Sequence, residues 1–88
     1  MKTTTLFRAD NYTNNMGYFL GFFTSLEDAK SELEFSNEVN TAQDGTFSQI
    51  TEFTVPSFEF EKADEFNKDE MMKLWSEGEN VKDYFFTN

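Results

Sequence analysis

The 88-residue sequence contains no cysteine and no histidine. Without cysteine the chain has no disulfide, no thiolate nucleophile and no cysteine-ligated zinc site. Without histidine it lacks the side chain that most often serves as a general acid or base near neutral pH. Catalysis would be limited to serine or threonine with lysine, or to paired carboxylates. We therefore expect a protein that is not an enzyme and holds no cofactor.

Long apolar runs are also absent, since no segment approaches the roughly 20 apolar residues of a membrane-spanning helix. Met1–Ala9 includes one lysine but lacks the apolar stretch that is typical of a signal peptide. A small secreted domain usually depends on disulfides, which this chain cannot form. We therefore expect a cytoplasmic protein, in the cytoplasm of a host cell if the chain is viral.

Positive charge is scarce, with seven Lys and Arg against seventeen Asp and Glu and a formal net charge of -10. Residues 1–26 carry +1, residues 27–52 carry -6 and residues 53–88 carry -5. Free nucleic acid and anionic membranes are poor ligands for such a chain, because both are bound through Lys and Arg. A charge of this size exceeds what solubility requires. We expect a partner with a basic surface.

Aromatic residues, in contrast, are abundant: the chain has twelve Phe, three Tyr and one Trp. High net charge with low hydrophobicity favours disorder, but each buried aromatic side chain removes about 150 to 250 Å² from water. We therefore predict one small folded domain, residues 1–88, with a core rich in Phe.

Two strands are predicted near the N-terminus. Thr3–Ala9 and Gly17–Phe23 are rich in β-branched and aromatic residues, and the polar residues 10–15 between them favour a turn. The second segment is apolar on both faces and predicts a central strand. Gly21 within it predicts a bulge or a close approach to another element.

Two capping signatures predict helices. Residues 24–28 have the spacing of a capping box, and we expect the helix to end near Phe35 or Ser36. Its apolar stripe consists of Leu26, Ala29 and Leu33. A second helix is expected to begin after Asn67 and to end at Gly78.

Three further segments predict strands. Thr46–Val55 is expected to end at Pro56, Phe58–Glu61 alternates as a short half-buried strand does, and Val81–Phe86 is the last candidate. The order β-β-α-β-(β)-α-β predicts an α+β fold. We expect an antiparallel or mixed sheet of four to five strands, with two helices on one of its faces.

The acidic residues of the first predicted helix are one candidate site. Glu27, Asp28, Glu34 and Glu38, with Asp44 in the following loop, would form a negative surface whose spacing imitates nucleic-acid phosphates. The alternative is a solvated helix face that keeps a Phe-rich protein soluble. Adjacent carboxylates at the helix starts favour the positive end of the helix dipole rather than catalysis.

Exposed aromatic residues are the other candidate site. Phe58, Phe60 and Phe85 would anchor a protein interface, and a strand edge at Phe58 to Phe60 would pair with another chain. Residues 40–51 place Asp44 at the fifth position of a calcium loop, but oxygen ligands are weak or missing at three diagnostic positions. We therefore predict no metal site.

In size, acidity, lack of cysteine and richness in Asn and Phe, the chain resembles the small accessory proteins of bacteriophages, among them anti-CRISPR proteins and DNA mimics. The resemblance is one of composition over the whole chain. It implies a non-enzymatic inhibitor of a host nucleic-acid-binding protein, for example a CRISPR effector or another DNA-binding defence or transcription protein. The alternative is a protein-interaction or structural module that binds through aromatics or a sheet edge, with a homodimer as one form.

Overall fold

The computed structural model describes residues 2–13, 16–40 and 47–87. Four strands and three helices occupy these ranges, which confirms the predicted α+β class. In chain order they are β1 (Thr3–Thr13), β2 (Met16–Phe23), α1 (Leu26–Asn40), β3 (Phe47–Pro56), α2 (Ser57–Lys62), α3 (Lys68–Glu77) and β4 (Glu79–Thr87).

The four strands form one sheet in the order β2-β1-β3-β4, and every neighbouring pair is antiparallel. The central pair, β1 with β3, runs from Thr3 opposite Pro56 to Tyr12 opposite Phe47. The pairing of β1 with β2 is irregular beside Gly21, which has a φ of +150°. The predicted bulge at this glycine is therefore confirmed, since few other residues adopt such a backbone angle.

The sheet has helices on both faces. Successive residues of a strand point to opposite faces, and Leu6 and Phe7 accordingly belong to two different cores. One, the α3-side core, consists of Leu6, Phe53, Val55, Met71 and Leu74. The other, the α1-side core, consists of Phe7, Ala9, Ala29, Leu33 and Ile50. The prediction of helices on a single face is wrong, because both faces of the central strands carry apolar side chains that need cover.

Strand β2 lies at an edge of the sheet, so its predicted central position is wrong. Leu20 and Phe23 pack against the α1-side core, whereas Phe22 packs against the α3-side core. The ring centroids of Phe22 and Phe53 are 5.9 Å apart. This edge strand is apolar on both faces because its side chains pack against both cores.

Strand β1 is longer than predicted and includes residues that we expected in a turn. Asp10 and Asn11 are buried in it, 6% and 5% exposed. Asp10 forms an ion pair with Arg8, with an N–O distance of 3.0 Å. Asn11 Oδ1 accepts a hydrogen bond from the Ser48 hydroxyl at 3.0 Å. These partners make burial of the two polar residues possible.

Helix α1 begins where the capping signature predicts. The backbone N–H of Asp28 donates to Ser25 Oγ at 3.1 Å, so Ser25 caps the helix. Ala29 and Leu33, one helical turn apart, are buried against the sheet. The helix ends at Asn40 and not near Phe35, so the predicted end is wrong.

Helix α3 begins and ends as predicted. Asn67 Oδ1 accepts hydrogen bonds from the backbone N–H groups of Asp69 and Glu70 at 3.0 and 3.3 Å. At the other end, the N–H of Gly78 donates to the carbonyl of Leu74 at 2.9 Å. Both ends are fixed by bonds between near neighbours, which is why their sequence signals are reliable.

The predicted strand Phe58–Glu61 is wrong, since Ser57–Lys62 forms helix α2. Pro56 ends β3 with a φ of -58° and opens the helix. Phe60 and Ala63, three residues apart, both pack against the α3-side core, which is the spacing of a helix and not of a strand. Alternation of apolar and acidic residues over only four positions is compatible with both a strand and a helix. Packing against the rest of the molecule determines which of the two forms.

Candidate protein-binding surfaces

The outer side of α1 carries two of the predicted acidic site residues. Glu27 and Glu34 are exposed and are two helical turns apart, or about 10 Å along the axis. Both lie away from the buried residues Ala29 and Leu33, and we call them the acidic helix face. Glu38 belongs to the same helix, but its side chain is not among those described, and Asp44 lies outside the described residues.

Asp28 does not share that face. It follows Glu27 by one residue, a rotation of about 100° around the helix. Its side chain lies towards β2, as does Glu32 one turn later, and both border an opening at the edge of the sheet. The structure therefore brings Glu27 and Glu34 together and places Asp28 elsewhere.

A second acidic layer lies on the opposite face of the sheet. The segment from α2 to the start of β4 holds three lysines, Lys62, Lys68 and Lys73. Against them stand eight carboxylates: Glu59, Glu61, Asp64, Glu65, Asp69, Glu70, Glu77 and Glu79. Of these, Glu70 accepts a hydrogen bond from the backbone N–H of Asp64. Negative charge thus surrounds the sheet from both sides.

The basic side chains contact aromatic rings more often than carboxylates. Arg8 lies 4.3 Å from the ring centroid of Trp75 and 5.2 Å from that of Phe19. Four lysines lie over rings in the same way: Lys30 over Phe86, Lys62 over Phe58, Lys68 over Phe19 and Lys82 over Tyr84. Within the described ranges, Arg8 with Asp10 is the one ion pair. Most of the described carboxylates therefore have no cationic partner among the described residues.

Among the described residues, the pKa values of two side chains, Asp10 and Tyr84, are shifted. Burial raises the pKa of Asp10 above its usual value, although the hydrogen bonds and charge of Arg8 oppose that rise. The hydroxyl of Tyr84 donates to Glu52 Oε1 at 3.1 Å, and this bond, with burial and the charge of Glu52, raises the pKa of Tyr84. The register places Asp10 and Tyr84 on opposite faces of the sheet, so they do not form one catalytic site.

The three predicted aromatic anchors do not form one patch. Phe58 on α2 and Phe85 on β4 are 49% and 63% exposed, whereas Phe60 packs against the α3-side core. Phe58 lies two residues after Pro56, the last residue of β3. Phe85 is paired with Gln49, which lies seven residues before Pro56 on the same strand. That separation is about 23 Å along the strand. The strand edge expected at Phe58 to Phe60 does not exist.

Phe66 is the most exposed of the described aromatic residues, and it was not among the site residues predicted from the sequence. It lies in the turn between α2 and α3 and is 91% exposed. Its backbone N–H donates to Asp64 Oδ1 at 3.0 Å, so the turn is ordered by local bonds. The sequence signal was present: a lone Phe stands between acidic residues and the Asn67 cap, where no helix or strand buries it.

An open groove follows the edge of β2, and we call it the β2 groove. It consists of two adjoining cavities of about 300 and about 400 Å³, which share the apolar side chains Phe22, Phe23 and Met71. The α2–α3 turn borders it with Glu65 and Phe66, and α1 borders it with Asp28 and Glu32. The groove combines an apolar floor with carboxylates at its rim.

In the part of the chain that the structure describes, no three acidic side chains are grouped so that they could hold a metal ion. Residues 41–46 of the calcium-loop pattern lie outside that part. Among the described helices, none is both long and apolar enough to cross a membrane.

Comparisons of the chain with protein-family models, with curated proteins and with solved structures found no match. No relative therefore indicates a partner or an active site. The class that the fold and its surfaces define is broad: a small α+β domain with acidic helical layers on both faces of its sheet and an apolar groove along one edge.

Proposed function

We propose that this chain is a non-enzymatic acidic binding protein, of the kind that phages and mobile elements encode. In this proposal it binds the basic surface of a host nucleic-acid-binding protein, such as a CRISPR effector or another DNA-binding defence or transcription protein, and excludes the nucleic acid. The observation that supports it best is that the described residues form one ion pair, Arg8 with Asp10, in a chain with seventeen acidic residues.

The distribution of the charges supports binding rather than internal stabilisation. Exposed ion pairs contribute little to stability. Among the described residues there is none, since the one ion pair, Arg8 with Asp10, is largely buried and lysines such as Lys30 and Lys82 lie over aromatic rings. The carboxylates on both helical layers remain available to a cationic partner. Their combined field accelerates association with such a partner and is weakened by salt.

Glu27 and Glu34 are the contact residues that we assign on α1. Their spacing of about 10 Å along the helix is wider than the phosphate spacing of duplex DNA. The acidic helix face is therefore proposed to compete for basic side chains through its charge, not by matching phosphates one for one.

The non-enzymatic part of the proposal rests on residue types and on the positions of the carboxylates. The chain has no histidine or cysteine. The adjacent acids Asp69 and Glu70 lie in the first turn of α3, where both backbone N–H groups donate to Asn67. Carboxylates at this position stabilise the helix through its dipole. This structural role explains the presence of the two acids without a catalytic function.

The test is capture of partners from a nuclease-treated bacterial lysate at about 50 and about 300 mM NaCl. We expect nucleic-acid-binding proteins to be retained at the lower salt and to be displaced by added duplex DNA. A joint variant, Glu27→Gln, Asp28→Asn, Glu34→Gln and Glu38→Gln, should reduce capture about tenfold or more. Circular dichroism must show an intact fold, because the loss of first-turn acids costs ~1 kcal/mol.

The matched control neutralises four carboxylates on the other layer: Glu59, Glu61, Glu77 and Glu79, each changed to Gln. It has the same net charge as the α1 variant and should retain most of the capture. Equal loss in both variants would mean that net charge alone attracts the partner, and undiminished capture by the α1 variant would reject the proposal.

The second candidate function, a protein-interaction module that binds through an aromatic residue or a sheet edge, is favoured by the exposure of Phe66 and by the edge position of β2. A homodimer through that edge is one form of it. Sedimentation at micromolar concentration distinguishes a dimer from a monomer.

A further inference from the structure

The edge of β2 is open within the described part of the chain. This strand pairs with β1 on one side and has no described strand on the other. An open strand edge offers unpaired backbone groups to another chain. The irregularity beside Gly21 interrupts the edge, so an incoming segment would depend more on side-chain contacts than on a continuous ladder of backbone bonds.

The side chains around this edge define what would fit there. Phe22, Phe23 and Met71 form an apolar floor that both cavities share. Phe66 rises from the α2–α3 turn with almost its whole side chain in solvent. Aromatic residues in such positions dominate the energetics of many interfaces, because they bury much area at little conformational cost.

The turn holds Phe66 in place. Asp64 is central: its carboxylate accepts the N–H of Phe66 at 3.0 Å, and its carbonyl accepts the N–H of Asn67 at 2.9 Å. The carboxylate of Glu70 in turn accepts the N–H of Asp64. An aromatic residue presented by an ordered turn loses little further freedom on binding, which favours affinity.

The rim of the groove selects a positive partner. Asp28 and Glu32 border it from α1 and Glu65 borders it from the α2–α3 turn. Lys68 is the basic residue at this opening, and its ammonium group lies 5.3 Å from the ring centroid of Phe19. Three carboxylates around an apolar floor are complementary to a segment that carries both apolar and basic side chains.

A second copy of this chain is a poor occupant. Each copy has a net charge of -10, and β2 itself contains no basic residue. Pairing of two β2 edges would bring the rim carboxylates of both copies together, and like charges at an interface oppose association.

We propose that the β2 groove is the docking site for an extended segment of a partner protein in which apolar residues alternate with Lys or Arg. An apolar side chain of that segment packs between Phe66 and the floor, while its basic side chains lie beside Asp28, Glu32 and Glu65. This inference is independent of the acidic helix face, which involves Glu27 and Glu34 on another side of α1.

The test uses two synthetic peptides of equal charge, Lys-Val-Lys-Phe-Lys-Val-Lys and Lys-Ser-Lys-Ser-Lys-Ser-Lys, with the full chain at about 150 mM NaCl. Titration by fluorescence anisotropy should show the first peptide binding about tenfold more tightly. Backbone amide shifts in NMR spectra should change most at Leu20 to Phe23 and at Glu65 and Phe66. Equal affinity for both peptides, or shifts centred on Glu27 and Glu34, would overturn the proposal.

Variants separate the aromatic and the charge contributions. Phe66→Ser should reduce affinity for the apolar peptide about tenfold, whereas its control, Phe58→Ser, changes an exposed Phe outside the groove and should leave affinity unchanged. Asp28→Asn, Glu32→Gln and Glu65→Gln together should weaken binding more than Glu27→Gln, Glu34→Gln and Glu61→Gln. If each control variant lost as much binding as the groove variant with which it is paired, the assignment of the peptide site to the β2 groove would be overturned.

The two proposals fail separately. If Phe66→Ser abolishes peptide binding but leaves lysate capture intact, the groove is a second site beside the acidic helix face. If peptide binding is insensitive to Phe66 while a Glu27→Gln, Glu34→Gln variant that keeps the rim residue Asp28 loses capture, the groove proposal fails and the proposed function survives.

Discussion

Arg8 shows how single residues of this chain combine charge with burial. Its side chain is 18% exposed on a central strand, held by the Asp10 carboxylate and by the rings of Phe19 and Trp75. The indole Nε1 of Trp75 is buried without a hydrogen-bond partner among the described residues. The contact with the Arg8 guanidinium is therefore a main polar interaction of that ring, and such contacts are stronger when water is excluded.

Asp10 predicts a measurable pH dependence. Burial raises its pKa in the folded state above the usual 3.8, so the folded chain binds a proton more tightly than the unfolded chain does. The contribution of Asp10 to the free energy of unfolding therefore falls as pH rises from about 3.8 through the raised folded value. Asp10→Asn removes this contribution, and its stability relative to the wild type should rise as pH increases above about 3.8. Urea unfolding followed by Trp75 fluorescence measures both.

The control is Asp83→Asn, which changes an exposed carboxylate on β4 that accepts a bond from Gln49. Its pH dependence is the baseline with which that of Asp10→Asn is compared. A difference between Asp10→Asn and the wild type that is constant with pH, or that shrinks as pH rises, would contradict the assignment.

At the scale of elements, the end of α3 is fixed by its contact with β3. A Cβ atom placed on Gly78 would lie 2.8 Å from the carbonyl oxygen of Thr54 and 3.0 Å from Val55 Cγ1. The φ of Gly78 is -79°, which any residue can adopt. Glycine is required here by space rather than by backbone angle, because the helix turns into β4 directly against the neighbouring strand.

Gly78→Ala should therefore destabilise the fold by about 1–3 kcal/mol, the usual cost of overpacking a rigid site. Chemical denaturation gives the value. Ser76→Ala, on the exposed side of the same helix, is the control and should change stability by less than about 0.5 kcal/mol. An unchanged denaturation midpoint for Gly78→Ala would show that β3 can shift to accommodate the added methyl group.

The elements differ in how far the sequence could predict them. The caps Ser25 and Asn67 were predictable because their bonds join residues two or three positions apart. Helix α2 was not predictable, since the pattern of residues 58–61 fits both a strand and a helix. The packing of Phe60 against the α3-side core determines that the segment is a helix. The edge position of β2 depends on the pairing of β1 with the distant strand β3, which leaves β2 with one described neighbour and which no local pattern indicates.

The whole molecule places negative charge on both faces of one sheet. Such a distribution repels itself in the folded state, and it is opposed by one described ion pair. Salt also weakens the contacts between basic side chains and aromatic rings where these lie near the surface. These contacts involve few positive charges, whereas the chain has an excess of ten negative charges.

Addition of NaCl from about 20 to about 300 mM should therefore stabilise the fold, since screening relieves more repulsion than attraction. A gain of about 1 kcal/mol corresponds to a rise in Tm of about 4–8 °C for a domain of this size. Calorimetry measures it. The four-residue α1 variant should show a smaller rise, and a Tm that falls with NaCl would mean that the few attractive pairs dominate.

The candidate surfaces were predictable only in part. The placement of Glu27 and Glu34 follows from helical periodicity once α1 is recognised. The β2 groove could not be derived in this way, because it joins Phe22 on an edge strand, Asp28 on α1 and Phe66 between α2 and α3. Their proximity depends on the strand order and on helices on opposite faces, both of which are tertiary properties.

The pairing of β1 with β3 has a consequence for folding. It joins Thr3 to Pro56, and closing so long a loop costs chain entropy before any contact compensates. Both cores contain residues of β1 and of β3, so neither can assemble while these strands are apart. The two cores therefore form and melt together, and the domain folds as one cooperative unit even though its sheet separates them.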